Sequence, residues 1–338
     1  MKITRRDMLK SVGGASALAL PLANGYSAQP SKTRDKTESA TLAAIRPIRL
    51  DAEPLVKSSY PTHERFNDEI AEQLVVITAK GIEHLDWEQQ HKKICWLLRL
   101  PEMLYVNHVR FDLQVGMDWR KEQGTWLYTG CPVRNLTGRW KVIDEKYQLA
   151  PGTEQEVPTV GKMDASIKSD SLGMHYTLSV TNTSDETWKD VFFWFCLNHY
   201  QSRITGYRPH LRLGRSWLPA QEMPSAQHHR YYPAPGMVAE HERIKADRGS
   251  FRGDSPELSF PGVVCWNYTS TGPVLMCHCS KDAVGVGSNQ LWPCTDLFLW
   301  FGEIAPGEQT SKTGHILLAR CDLKTFADHA DSILDTLK

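Results

Sequence analysis

Histidine, arginine and aspartate recur in this chain at spacings that let their side chains act together. Over Leu104–Val115, strand alternation puts Val106, His108, Arg110, Asp112 and Gln114 on one face. Asn107, Val109, Phe111, Leu113 and Val115 share the other. A guanidinium donates paired hydrogen bonds, a carboxylate accepts from neighbouring hydroxyls, and an imidazole moves a proton near neutral pH. His108, Arg110 and Asp112 therefore suit contact with a polyol, and the same row also suits an ordinary solvated sheet face.

A second group begins where the strand pattern Val191–Tyr200 (VFFWFCLNHY), apolar on both faces, turns polar at Asn198, His199 and Tyr200. It feeds into Gln201–Asp254, which carries Arg203, His210, His228, His229 and Arg230 among many Tyr and Pro residues. For catalysis, His199 is the candidate base, with Arg203 or Arg110 steadying developing negative charge and His108 alongside. Tyr200, His210, His229, Arg230 and Asp112 are candidate ligand contacts. Further on, His278 and the loop Asn289-Gln-Leu-Trp-Pro-Cys-Thr-Asp296 add polar groups, with Trp292 as a stacking platform or a packing residue. The sequence holds no H-E-x-x-H or H-x-H, so metal ligands stay unassigned; no organic cofactor is expected, and a metal held by the histidines of this stretch is the alternative. It also lacks the G-x-S-x-G elbow, the phosphate-binding loop and the dinucleotide fingerprint, so serine hydrolase, nucleotide and dinucleotide chemistry gain no support.

The elements that must position these groups read as strands. From Ile45 onward, short apolar or alternating runs are separated by turn chemistry such as Thr181-Asn-Thr-Ser184 and Ala305-Pro-Gly-Glu308. Strands are expected at 94–100, 104–115, 126–133, 138–147, 174–181, 191–200, 262–268, 274–279, 297–301 and 314–319. That is too many for one open sheet, so the expected fold is all-β, a large two-sheet antiparallel β-sandwich. Helices are expected at Phe66–Ile77, whose end also reads as a strand opening, and at Leu323–Leu337.

Residues 4–10 (TRRDMLK), followed by the weakly apolar Ser11–Ala23, read as a twin-arginine export signal. The expected organisation is a signal peptide over 1–28, a flexible tether over 29–44, and one β-sandwich domain over 45–338 with an ordered insertion at 201–254. Export would place the protein in the periplasm or outside the cell, with membrane contact only in transit. Lys plus Arg and Asp plus Glu balance at 39 each without like-charge blocks, so nucleic acid is not an expected partner. A carbohydrate or other neutral small molecule is, and 11 Trp residues supply flat apolar surface for sugar faces. The eight cysteines are irregularly spaced and read mainly as small buried apolar residues, because a protein exported by this route folds in a reducing compartment.

Asn289 through Phe301-Gly-Glu-Ile-Ala-Pro-Gly-Glu308 to Gly314-His-Ile-Leu-Leu, with Leu178-Ser-Val-Thr-Asn182 and Cys196-Leu-Asn198, resembles secreted bacterial β-sandwich proteins of planctomycete type. Their sheets are similar to the galactose-mutarotase-like superfold. The resemblance implies a carbohydrate context. It leaves open an epimerase- or lyase-type proton-transfer enzyme, a non-catalytic binding module, and a structural envelope protein.

Overall fold

In the central strands both the even and the odd positions are largely apolar, so each strand needs cover on two faces, and a single sheet facing water cannot supply it. The computed structural model describes residues 32–54, 74–79, 96–107, 109–113, 119–134, 140–143, 146–149, 159–199, 208–224, 229–245, 255–269, 272–289 and 293–337. The chain divides into the units Met1–Lys36 and Thr37–Lys338, and the account below concerns the second. The signal-peptide segment 1–28 lies outside the described residues. Within the stretch expected as a tether, Lys32–Ile45 is helical (α1), with Thr41 and Ile45 buried.

All pairings are antiparallel. The first sheet runs β5 (Arg120–Glu122), β6 (Thr125–Arg134), β9 (Thr159–Ser169), β10 (Met174–Asn182), β19 (Gln309–Ala319), β16 (Gly272–Cys279), β15 (Gly262–Thr269), β12 (Pro209–Leu213) and β13 (Ser216–Pro219). The second runs β1 (Leu50–Pro54), β2 (Leu74–Ala79), β3 (Trp96–Val106), β11 (Trp188–Asn198), β18 (Cys294–Ile304), β17 (Ala283–Asn289) and β14 (His229–Pro233). Strand β4 (Val109–Leu113) pairs with β3 of one sheet and β6 of the other, and so joins the two. Strands β7 (Trp140–Ile143) and β8 (Lys146–Leu149) pair with each other. The fold is the expected two-sheet antiparallel sandwich.

The inner layer takes alternate residues from both sheets: Leu98, Val191, Phe193, Phe195, Leu197, Leu297 and Leu299 from the second, and Met163, Tyr176, Leu178, Met276, Ile316 and Leu318 from the first. The intervening residues form two outer layers. Helix α3 (Leu323–Thr336) covers the first sheet with Phe326, Ala330 and Ile333, one helical face, packed on Val264, Leu275, Cys277 and Leu317. It starts where the Asp322 carboxyl accepts the Thr325 amide at 2.7 Å, and Arg212 of β12 ties its side to Asp331 at 2.6 Å. Helix α2 (Val238–Lys245) covers the second sheet, with Ile244 among Tyr105, Phe192, Tyr231, Val284 and Phe298. Among the described residues no helix is long and apolar enough to cross a membrane.

Several sequence expectations are corrected. The continuous strand over Leu104–Val115 is a hairpin: β3 ends at Val106, which pairs with Val109 at the head of β4. Asn107 takes the turn at φ 51°, a left-handed conformation that Asn tolerates, and its side chain accepts the Lys189 amide at 2.6 Å. Of Phe66–Ile77, the described part opens β2 at Leu74, where alternate burial of Val75 and Ile77 follows strand period. The run 138–147 holds the β7–β8 hairpin. Within 201–254 the chain forms β12, β13, β14 and α2, so this stretch supplies strands to both sheets as well as a helix.

The interior is not wholly apolar. The Tyr176 hydroxyl lies 2.7 Å from His278 Nε2, and His199 Nε2 lies 3.2 Å from Thr295 Oγ1. Gly314 makes room for the Tyr176 ring, since a Cβ there would fall 2.2 Å from Tyr176 Cζ. Burial pushes His199 and His278 each down to about 3, and His315 to about 4; a hydrogen bond to the Thr295 backbone opposes the shift at His278. Below the ordinary value of 6.5 the unfolded chain binds protons that the native chain refuses. Stability is therefore full above that value and is lost as pH falls toward 4, by up to about 1.4 kcal/mol per pH unit for each such histidine. Urea midpoints measured between pH 7 and 4.5 should fall steadily; a flat or rising midpoint would contradict the neutral, buried placement of these rings.

Candidate functional site

Where β11, β18, β17 and β14 run side by side, cross-strand register sorts their polar residues onto one face. Cys196 of β11 stands opposite Asp296 of β18, Asp296 opposite Gly287 of β17, and Gly287 opposite Tyr231 of β14. The next row is Asn198, Cys294, Asn289 and His229. Alternation with Trp194 and Phe298, which belong to the outer layer, places Cys196, Asn198, Cys294 and Asp296 on the outer face of the second sheet. Strands β11 and β17 end here at Asn198 and Asn289, and β18 and β14 begin here at Cys294 and His229.

Cys196, Cys294 and Asp296 are all buried, and their Sγ and carboxyl oxygen atoms lie within 4.8 Å of one another. The Tyr231 hydroxyl donates to Asp296 Oδ2 at 3.3 Å, and the Cys294 thiol donates to Asp296 Oδ1 at 3.5 Å. Trp194, Tyr231 and Phe298, on the same face, form a mutually edge-on or tilted aromatic trio with centroids 5.2, 5.0 and 4.7 Å apart. Trp194 and Asn198, in the rows on either side of the Cys196–Asp296 pair, are half-buried. A carboxyl acceptor fixed by a tyrosine beside aromatic rings can bind hydroxyl groups, accept a proton, or, with the two sulfurs, hold a cation.

The residues singled out from sequence separate in the fold. His199 and His278 come together inside the sandwich, buried and away from the outer face. His210 sits on β12 at the far edge of the first sheet, where its Nδ1–H donates to the Arg208 carbonyl at 2.9 Å and burial lowers its pKa. Arg110 and Asp112 occupy β4, in register with Tyr105 and Arg134, and their side chains lie outside the described residues. His229 and Arg230 occupy β14 opposite Asn289 and Ser288, again with undescribed side chains. His108, Tyr200, Arg203 and Trp292 lie outside the described residues. Sequence reasoning noted Cys294 and Asp296 in a loop but missed Cys196 and Tyr231 as their partners. The period-two spacing of Cys294 and Asp296 was the available signal; the pairing with Cys196 depends on register across two strands.

Among the described residues, Cys131, Cys196, Cys265, Cys277, Cys279, Cys294 and Cys321 are all buried, in keeping with their reading as small buried residues. Burial raises the thiol pKa of Cys265 and Cys277, and that of Cys321 to about 12.

No protein-family model matches the sequence, and no curated protein matches it. Among solved structures, a galactose mutarotase-like protein from Lactobacillus casei is similar at a TM-score of 0.34 and 8% identity, over 75% of this chain and 95% of that one. A galactose mutarotase-like protein from Clostridium acetobutylicum gives 0.26 and 10%, over 62% and 67%. A galactose mutarotase related enzyme from Lactobacillus acidophilus gives 0.25 and 9%, over 74% and 95%. At likenesses of this size, the chemistry of the face has to come from this chain's own residues.

If Asp296 anchors the face as its geometry indicates, Tyr231→Phe should lower the unfolding free energy by about 1 kcal/mol, the net worth of one hydrogen bond. Urea denaturation reads this directly, and an unchanged midpoint would show that the Tyr231–Asp296 contact holds nothing.

Proposed function

We propose that the protein is an exported carbohydrate-binding protein, and that its ligand lies against the outer face of the second sheet at the end where β11, β14, β17 and β18 meet. The observation that carries this reading is the Asp296 carboxyl group, fixed by Tyr231, with half-buried Trp194 and Asn198 in the rows on either side of it. Polyols are held by such a combination, because C–H faces pack on aromatic rings while hydroxyl pairs donate to a carboxyl group. The balanced charge of 39 basic and 39 acidic residues suits a neutral ligand. Export rests on the twin-arginine heptad at residues 4–10.

An epimerase- or lyase-type activity would need a base within reach of a sugar carbon. Among the described side chains at this end of the sheet that role falls to Asp296, His199 being sealed between the sheets. A structural envelope role gains less support. Docking through exposed aromatics calls for a broad apolar patch, whereas the large apolar side chains exposed among the described residues are Val238 and Tyr268, on separate elements.

A thermal-shift screen of the protein lacking residues 1–28 against mono- and oligosaccharides and uronates tests the reading. A cognate sugar at one hundred times its Kd should add about 2.7 kcal/mol and raise the melting temperature, and Asp296→Asn should remove that rise while leaving the unliganded protein folded. No stabilisation by any saccharide would contradict it.

A further inference from the structure

We propose that Cys196, Cys294 and Asp296 form a binding site for a single thiophilic divalent metal ion of the zinc type. The proposal stands independently of the carbohydrate reading, since it rests on the donor set alone. Two adjacent strands deliver the donors from positions that sheet geometry makes neighbours: Cys196 and Asp296 directly opposite, and Cys294 two residues from Asp296 on the same face. The three ligand atoms lie within 4.8 Å of one another, and all three residues are buried. Tetrahedral zinc with Zn–S bonds of about 2.3 Å sets its sulfurs roughly 3.8 Å apart, so closure needs side-chain shifts of at most about 1 Å.

The surroundings fit a bound ion. Tyr231 already donates to Asp296 Oδ2, which fixes the carboxyl plane and leaves Oδ1 turned toward Cys294 Sγ. A hydrogen-bonded carboxylate held in this way is the usual support for a metal-ligating acid. On binding, each thiol loses its proton to solvent as sulfur bonds the metal; the two thiolates offset the two positive charges of the ion, and the Asp296 carboxylate leaves the centre with one net negative charge. Two sulfurs with one oxygen select zinc or cobalt over magnesium and calcium, which prefer oxygen donors. Three protein ligands leave a fourth position, and half-buried Asn198, opposite Cys294, marks the side from which water or a ligand oxygen reaches it.

Among the described residues the other buried thiols offer no such set. Cys277, Cys279 and Cys321 sit among Phe260, Leu275 and Phe326 beneath α3, and burial raises the pKa of Cys277 and Cys321. They serve as internal controls.

The test uses the full chain, purified with chelator and a thiol reductant and then titrated with Co(II). One equivalent should bind, giving sulfur-to-cobalt charge transfer and the intense visible bands of four-coordinate cobalt, and zinc should bleach both. Cys196→Ser and Cys294→Ser should each abolish the charge-transfer signal, while Cys277→Ser keeps it. X-ray absorption of the zinc-loaded wild-type protein needs no variant to fold, and should show two sulfurs at about 2.3 Å with oxygen or nitrogen at about 2.0 Å. Absence of uptake by the folded protein, a metal shell without sulfur, or cobalt bands undiminished in folded Cys196→Ser and Cys294→Ser would each overturn the proposal.

Discussion

Strands β11 and β18 are apolar on both faces along most of their length, and that double requirement shapes the rest of the molecule. Phe193, Phe195, Leu297 and Leu299 point into the space between the sheets, while Phe192, Trp194 and Phe298 point the other way. Burying a side chain of this size is worth about 1.5–3 kcal/mol, so leaving either face wet would forfeit much of the stability of a single domain. The first sheet covers one face. Helix α2, drawn from the stretch between β11 and β15, covers the other.

The candidate site lies further along the same outer face. Along β11 the outer face passes from Phe192 and Trp194 to Cys196 and Asn198, and along β18 in reverse from Phe298 to Asp296 and Cys294. Polar groups at the end of a buried sheet must find partners or a ligand, since an unpaired buried polar group is costly. Tyr231 partners Asp296, and the sulfurs stand beside it. The opposite solution appears inside the sandwich, where Tyr176 and His278 satisfy each other against Gly314 and the imidazole stays neutral.

How much of this was legible beforehand follows from range of interaction. The all-β class, the C-terminal helix from Leu323 and the turn at Ala305–Glu308 show in local pattern: period-two alternation, Asp322 ahead of an apolar helical face, and a Pro-Gly pair with Gly307 at φ 78°. The hairpin at Asn107 was hidden because alternation continues smoothly across a two-residue turn; only the sterics of Asn at positive φ distinguish it. His199 and His278 drew attention as titratable groups, yet sequence does not reveal which face of a doubly apolar strand is sealed. Cys196 meets Asp296 only through pairing of strands separated by about a hundred residues of sequence, a register that no local spacing encodes.

The central claim is that the outer face of the second sheet, at the Asn198–Cys294 end, is where this protein meets its ligand. Hydrogen–deuterium exchange of the full chain with and without a stabilising saccharide tests it most directly. Slowed exchange should concentrate in the last residues of β11 and β17 and the first of β14 and β18. Protection confined to the first sheet, with those four strand ends unchanged, would contradict the account.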